Sequence, residues 1–233
     1  MLAALLLSLT ASAGGSPLVA WEIDRCPPET PAADAKSRLA QAQARADCFH
    51  RGMLAELAAP AAAGLRADQP RFERWANVAC WLSGELSALE LSPGRVVSTE
   101  ESELLPRICL QSAWAERGFL AANAATFDPQ APPGKNPFSE VVLSRQAMGA
   151  GNRLELAKLL GALRDPAQAA GLSAKDREAF VKSIDMVWQG ALELAQRECD
   201  ARREGSLCVA RLESYYFSLV NPYPGGRAPG QGG

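Results

Sequence analysis

Residues 72–89 read FERWANVACWLSGELSAL, and their pattern is strongly helical. The apolar residues of this stretch recur at intervals of three and four, which is the period of one face of an α-helix. They are Phe72, Trp75, Ala79, Leu82, Leu86 and Leu89. The same stretch carries Cys80. The pattern predicts an amphipathic helix that packs on other helices and bears one cysteine.

Helix boundaries on either side of this stretch follow from prolines, glycines and capping residues. Thr30 and Pro31 predict the start of a first helix, and Pro60 ends it. The helix that contains residues 72–89 is expected to begin around 68–70 and to end at 92–94. Capping residues predict the starts of the later helices in the same way.

A third helix is predicted to start at the capping box formed by Ser98 and Glu101 and to run to about Ala125. Pro106 marks either a kink in this helix or its true start. Residues 126–138, TFDPQAPPGKNPF, hold four prolines and a glycine and therefore predict a linker.

Three more helices are predicted after the linker. One runs from Ser139 to about Leu163, and Gly149 and Gly151 are expected to weaken its middle. Ser173 with Asp176 predicts the start of the next helix, and Gly205 predicts its end. Ser206 is then the predicted N-cap of a last, short helix over 206–220. We therefore predict an all-α fold: a disulfide-stapled bundle of about six helices that allows two helical subdomains.

The two chain ends read as segments outside the bundle. Residues 2–9 are apolar and are followed by Ala11-Ser12-Ala13, the small-x-small pattern of a signal-peptide cleavage site. We expect a signal peptide over 1–13 and coil over 14–30. The predicted domains are a helical domain at 14–125, the linker at 126–138, a helical subdomain at 139–220 and a disordered Pro/Gly tail at 221–233. No later stretch has the roughly 20 apolar residues that an integral membrane segment needs.

Six cysteines downstream of such a leader predict disulfides in a periplasmic or secreted protein. Chain order favours pairing between neighbours, although six cysteines permit fifteen connectivities. The expected pairs are Cys26–Cys48, Cys80–Cys109 and Cys199–Cys208. The sequence has neither the close C-x2-C pairs of zinc sites nor a C-x-x-C redox motif, so we expect no metal site and no cofactor.

Composition narrows the classes of function further. Net charge is −2 and no basic stripe is present, so nucleic acid is not an expected partner. His50 is the single histidine, so the sequence lacks the histidines for a His-based metal site or for a Ser–His–Asp triad elsewhere in the chain. A catalytic pair of His50 with Cys48 is not expected either. A disulfide-bonded cysteine is no nucleophile, and residues two apart on a helix do not face each other.

Helices two and three carry a motif with two aromatics ahead of a cysteine, an acidic residue after it, and a second cysteine-bearing helix. The motif residues are Phe72, Trp75, Cys80, Glu85, Cys109, Leu110, Arg117 and Leu120. This arrangement resembles the LprI-type lysozyme-inhibitor family of bacterial envelope proteins. The chain departs from the family pattern at Ala76 and Asn77, where Arg and Asp are usual. The resemblance implies a helical exported domain that binds and blocks lysozyme, over about the first half of the chain.

The expected function is therefore that of an exported, non-catalytic binding or inhibitory protein of the bacterial envelope, with a protein partner such as a lysozyme. A helical cell-envelope hydrolase and a structural envelope component are the alternatives. Glu100, Glu101 and Glu103 beside a capping box are better explained by the positive end of a helix dipole than by a carboxylate pair of a glycosidase.

Exposed polar residues give the expected contact segment. The connection 93–103 carries Arg95 beside Glu100, Glu101 and Glu103, and a Cys80–Cys109 bond would tether it at its base. These four residues are the predicted partner-binding residues, and their carboxylates suit a basic partner. We expect Trp75, Trp81 and Trp114 to pack inside the bundle, and Tyr215, Tyr216 and Phe217 to be mostly core with one ring facing outward.

Overall fold

The structure, a computed structural model, describes residues 17–26, 28, 32, 34–91, 99–126, 137–167, 169, 171–200 and 205–220. Within these ranges it has seven α-helices, a 3₁₀ turn and no strand. The helices are α1 (Pro17–Arg25), α2 (Ala35–Leu57), α3 (Ala63–Leu91), α4 (Thr99–Ala122), α5 (Pro137–Arg164), α6 (Ala174–Asp200) and α7 (Ser206–Leu219), and the 3₁₀ turn is Pro60–Ala62. The predicted all-α class is confirmed.

Helix α1 corrects the prediction of coil over 14–30. Its nine residues are too few to show a helical period in the sequence, and contacts with distant residues hold it in place. Leu18 is buried, and the Trp21 ring stacks near Phe49 with centroids 6.3 Å apart. Gly118 of α4 makes room for the indole, because a Cβ there would lie 2.5 Å from Trp21 Cη2.

The helix starts differ from the predicted ones where a stronger cap or a helical turn lies nearby. Helix α2 begins after Asp34, not Thr30, because the Asp34 carboxylate accepts a hydrogen bond from the Ser37 backbone N–H at 2.8 Å. Helix α3 begins at Ala63, ahead of the predicted 68–70, since the 3₁₀ turn leads directly into it. Pro70 therefore lies inside α3.

Pro106 lies inside α4 and does not mark a later start. Its ring lies against Gly84 of α3, where a Cβ would come within 2.5 Å of Pro106 Cγ. Pro106 is thus a close contact between α3 and α4. The end of α4 is near the predicted one, at Ala122 rather than Ala125.

Of the four helix-boundary residues predicted after the linker, only Ser173 has its predicted role. The Asp176 N–H donates to Ser173 Oγ at 3.1 Å, so Ser173 caps α6 as expected. Helix α5 starts at Pro137, not Ser139, which places a proline at the favoured first helical position. Gly205 is the N-cap of α7 rather than the C-terminal glycine of α6, and Ser206 is the first residue of α7.

The buried side chains form one apolar cluster to which helices on both sides of 126–138 contribute. Helix α2 packs on α4, α5 packs on α7, and α3 packs on both α4 and α6. The α3–α6 contact therefore joins the two halves of the chain through the core. Residues 1–13, 127–136 and 221–233 lie outside the described residues, so the predicted signal peptide, most of the linker and the tail stay predictions.

All six cysteines are paired as chain order predicted: Cys26–Cys48, Cys80–Cys109 and Cys199–Cys208. Their Cα separations are 6.0, 5.4 and 5.9 Å, within the normal range for disulfides. The first bond joins the residue that follows α1 to α2, and the other two join α3 to α4 and α6 to α7. In the chain-entropy model each bond contributes about 2.5–3.5 kcal/mol to stability.

Candidate functional site

The predicted contact segment 93–103 is described only at its end. Arg95 and the Glu101 side chain lie outside the described residues. Glu100 and Glu103 lie in the first turns of α4 and are half-buried. Carboxylates there are stabilised by the positive end of the helix dipole. Both glutamates precede Cys109 on α4. Their role in binding stays a prediction.

The residues that carry the family resemblance are mostly core residues. Phe72, Trp75, Leu110, Arg117 and Leu120 are buried, and Cys80 is bonded to Cys109. Glu85 alone among the motif residues is exposed. The motif therefore describes how α3 packs on α4, and a partner meets little of it.

Arg117 lies at the centre of that packing, with only 1% of its surface exposed. Its Nη1 donates to Glu198 Oε1 at 2.5 Å and to the Tyr216 hydroxyl at 3.2 Å. Its Nη2 donates to the Leu65 carbonyl at 3.2 Å, and its guanidinium lies 4.6 Å from the centre of the Phe72 ring. This ion pair links α4 to α6 and α7 across the core.

A second buried carboxylate, Glu116, lies on the neighbouring face of α4. Its Oε1 accepts a hydrogen bond from Arg145 of α5, and its Oε2 has no hydrogen-bond partner among the described residues. Burial raises the pKa of Glu116 to about 7, against the lowering effects of Arg145 and Tyr215. The same burial raises the pKa of Tyr215 well above its usual value. Because the carboxyl is enclosed by the protein, we assign it a structural role.

This raised pKa makes stability depend on pH. Between the ordinary pKa of 4.5 and the folded pKa of about 7, the folded chain binds more protons than the unfolded chain. The stability contributed by Glu116 is therefore fully present below pH 4.5 and is lost as pH rises to about 7, by about 3 kcal/mol. Glu116→Gln should flatten this slope in urea unfolding between pH 5 and pH 8. Glu178→Gln, an exposed control, should keep it; equal slopes in all three proteins would contradict the assignment.

The tryptophan predictions are right for two of the three rings. Trp75 and Trp114 are buried, whereas Trp81 is 41% exposed. Trp81 lies off the apolar stripe of α3, so the helical period turns it towards solvent. The prediction that one of Tyr215, Tyr216 and Phe217 faces outward is wrong, since all three are buried. Helix α7 is covered on several sides, by α4, α5 and α6.

His50 pairs with a glutamate, and Cys48 is unable to act as a nucleophile. His50 Nε2 lies 3.1 Å from Glu73 Oε1, and the imidazole meets the edge of Trp114 with centroids 5.1 Å apart. Cys48 is held in its disulfide. In the part of the chain that the structure describes, no group of three or more His, Cys, Asp or Glu side chains is placed to hold a metal ion.

A surface groove between α3 and α6, here called the α3–α6 groove, is a site that sequence reasoning missed. Its volume is about 320 Å³. The lining residues are Arg71, Arg74, Trp75, Val78, Met186, Gln189, Gly190, Glu193 and Leu194. Gly190 brings the helices close, because a Cβ there would lie 2.6 Å from Trp75 Cδ1. The Trp75 indole N–H donates to the Val187 carbonyl at 3.0 Å and fixes the ring in the floor.

The charges around the α3–α6 groove are unevenly paired. Arg71 lies 3.3 Å from both Asp68 and Glu193, and Arg197 lies 2.6 Å from Asp68. Arg74 is exposed and has no ion-pair partner among the described residues. Arg71 and Arg197 thus share the two carboxylates, which leaves the positive charge of Arg74 unneutralised.

A second hollow lies on the other side of α6, where α6 meets α5. Its volume is about 360 Å³, and its lining is mainly apolar: Ala157, Leu160, Gly161, Arg164, Asp185, Trp188 and Gln189. Arg164 and Asp185 close one edge at 3.4 Å, and Arg153 lies 5.2 Å from the centre of the Trp188 ring. The cations here have partners, so this hollow has less to offer a charged ligand than the α3–α6 groove.

Comparison with known proteins adds no relative. The chain matches no family model, no curated protein and no solved structure. The resemblance to the lysozyme-inhibitor family therefore rests on the motif residues alone and stays a prediction. Among the described helices, none is long and apolar enough to cross a membrane.

Proposed function

We propose that the chain is an exported, non-catalytic binding protein of the bacterial envelope that inhibits a lysozyme. Three disulfides that staple consecutive helices support a periplasmic or secreted location, since such bonds persist in oxidising compartments. The two most deeply buried carboxylates, Glu116 and Glu198, are each engaged by an arginine. Buried carboxylates are the natural candidates for the catalytic acid of a hydrolase, and here they are engaged in packing contacts. This supports a binding role over a hydrolytic one.

The observation that carries the proposal is the stapled α3–α4 pair with glutamates at the start of α4. The Cys80–Cys109 bond joins α3 to α4, the two helices that the connection 93–103 links in the chain, and Glu100 and Glu103 lie in the first turns of α4. A tethered connection loses less conformational entropy on binding than a free one. Its carboxylates suit the positive surface of a basic lysozyme.

A turbidity assay on a bacterial cell-wall suspension tests this function. The protein should slow the clearing that a basic lysozyme produces, in proportion to its concentration. Clearing by the protein alone would show hydrolysis and would overturn the non-catalytic assignment. Unchanged lysozyme activity at a large excess of protein would overturn the inhibitor assignment.

Removing the three carboxylates should slow association with the lysozyme. Glu100, Glu101 and Glu103 changed together to Gln should lower the association rate at low salt about tenfold and weaken its salt dependence, because electrostatic steering is lost. Stopped-flow or biosensor kinetics at several salt concentrations measure the effect, and circular dichroism should show unchanged helix content.

A matched variant controls for net charge. Asp24→Asn, Glu178→Gln and Asp200→Asn together remove the same number of charges from exposed positions on α1 and α6. This variant should keep the association rate close to the wild-type rate. If both triple variants slow association equally, net charge explains the effect and the contact segment is wrongly placed.

A further inference from the structure

We propose that the α3–α6 groove is a second interaction surface, which binds a segment of a protein partner that presents an apolar side chain beside a carboxylate. This proposal goes beyond lysozyme inhibition and does not depend on it. The groove lies on α3 and α6, whereas the predicted lysozyme contact is the connection 93–103.

The apolar half of the recognition comes from the floor of the groove. Trp75, Val78 and Leu194 form an apolar wall, and Gly190 lets α6 pack directly on the Trp75 ring, because a Cβ there would lie 2.6 Å from Trp75 Cδ1. Trp75 is held by its hydrogen bond to the Val187 carbonyl, so the wall is formed before any ligand arrives. A volume of about 320 Å³ takes one leucine-sized side chain with its backbone.

The charged half comes from Arg74. The two carboxylates at the groove, Asp68 and Glu193, are engaged by Arg71 and Arg197. Arg74 has no such partner among the residues that the structure describes, and its guanidinium is free to bind a carboxylate of the ligand. The local charge therefore complements an acidic segment and disfavours a basic one.

Exposed apolar residues extend the surface beyond the groove. Met186 is 50% exposed at the rim, and Trp81 is 41% exposed one helical turn beyond Val78 on α3. Exposed tryptophan and methionine beside a preformed pocket are typical of protein contact surfaces. The combination favours a protein segment over a small polar metabolite.

The test is an NMR titration of the isotope-labelled protein, with its disulfides formed, against two capped peptides. Acetyl-Asp-Leu-Asp-amide is the probe, and acetyl-Lys-Leu-Lys-amide is the matched probe of opposite charge. The acidic peptide should shift the amide signals of Val78, Gly190 and Leu194 and saturate with a Kd of about 1–10 mM. The basic peptide should shift them little over the same concentrations.

Two variants locate the site. Arg74→Gln should weaken binding of the acidic peptide about two- to fivefold, as expected for one exposed ion pair. Arg51→Gln, an exposed arginine on α2, is the control and should leave binding unchanged. Met186→Glu places a like charge at the rim on an exposed position, so the protein should fold normally and bind the acidic peptide more weakly still.

Several outcomes would overturn the proposal: no binding of either peptide, equal binding of both, shifts outside the groove, or an unchanged Kd in Arg74→Gln. The turbidity assay separates this result from the proposed function. Arg74→Gln and Met186→Glu should inhibit lysozyme as the wild type does. Peptide binding without lysozyme inhibition would leave the groove proposal standing and remove only the inhibitor function.

Discussion

Gly149→Ala is expected to destabilise the protein by about 3–5 kcal/mol, the cost of forcing an extra atom into a packed interface. Gly149 lies where α5 crosses α7, and a Cβ there would come within 1.7 Å of the Ser214 carbonyl oxygen. That oxygen belongs to the backbone of α7, so no side-chain rotation relieves the overlap. The two helices would have to move apart.

Gly151 supplies the matched control two residues further along α5. A Cβ at Gly151 meets nothing within 4 Å, so Gly151→Ala should stabilise the helix by about 0.5–1 kcal/mol. Urea unfolding with the disulfides intact measures both variants. If Gly149→Ala is no less stable than Gly151→Ala, the close α5–α7 contact is wrong.

Arg117→Met should cost about 3–5 kcal/mol, because it leaves the Glu198 carboxylate buried without its cation. Glu198 is 3% exposed, and Tyr216, its other hydrogen-bond partner at 2.8 Å, supplies no positive charge. The loss should appear as a lower urea midpoint with an unchanged slope.

The double variant Arg117→Met with Glu198→Met distinguishes an ion pair from simple packing. Replacing both charged groups by apolar side chains of similar size removes the stranded charge, so the double variant should recover most of the stability. A double variant that is less stable than Arg117→Met alone would show that the two side chains act independently.

The helical segments and disulfides were predictable because their signals are local. The apolar period of residues 72–89, the Ser173 cap and the short separations between paired cysteines all act over one or two helices. Helix α1 escaped prediction because Trp21 is held by Gly118, nearly a hundred positions away in the chain. The start of α3 was missed because Pro60 signals the end of a helix in the sequence. In the structure the 3₁₀ turn Pro60–Ala62 leads directly into α3.

The candidate sites divide in the same way. Glu100 and Glu103 were predicted from the sequence as acidic residues at the start of a helix, and they lie in the first turns of α4. The predicted cap Ser98 lies outside the described residues. The α3–α6 groove could not be predicted from the sequence, because it is formed by contacts between distant parts of the chain. Trp75 of α3 contacts Val187 and Gly190 of α6, a helix beyond the linker. The sequence signal that pointed towards it was Trp81, a large apolar residue off the stripe of its own helix.

The three disulfides close the chain in the order in which it is synthesised. Their partners are 22, 29 and 9 positions apart, and no bond encloses or crosses another. Each cysteine therefore meets its partner before the next pair has emerged, and a chain oxidised from its amino end reaches the native pairing without thiol–disulfide reshuffling. Oxidative folding of this protein should need an oxidant but no isomerase.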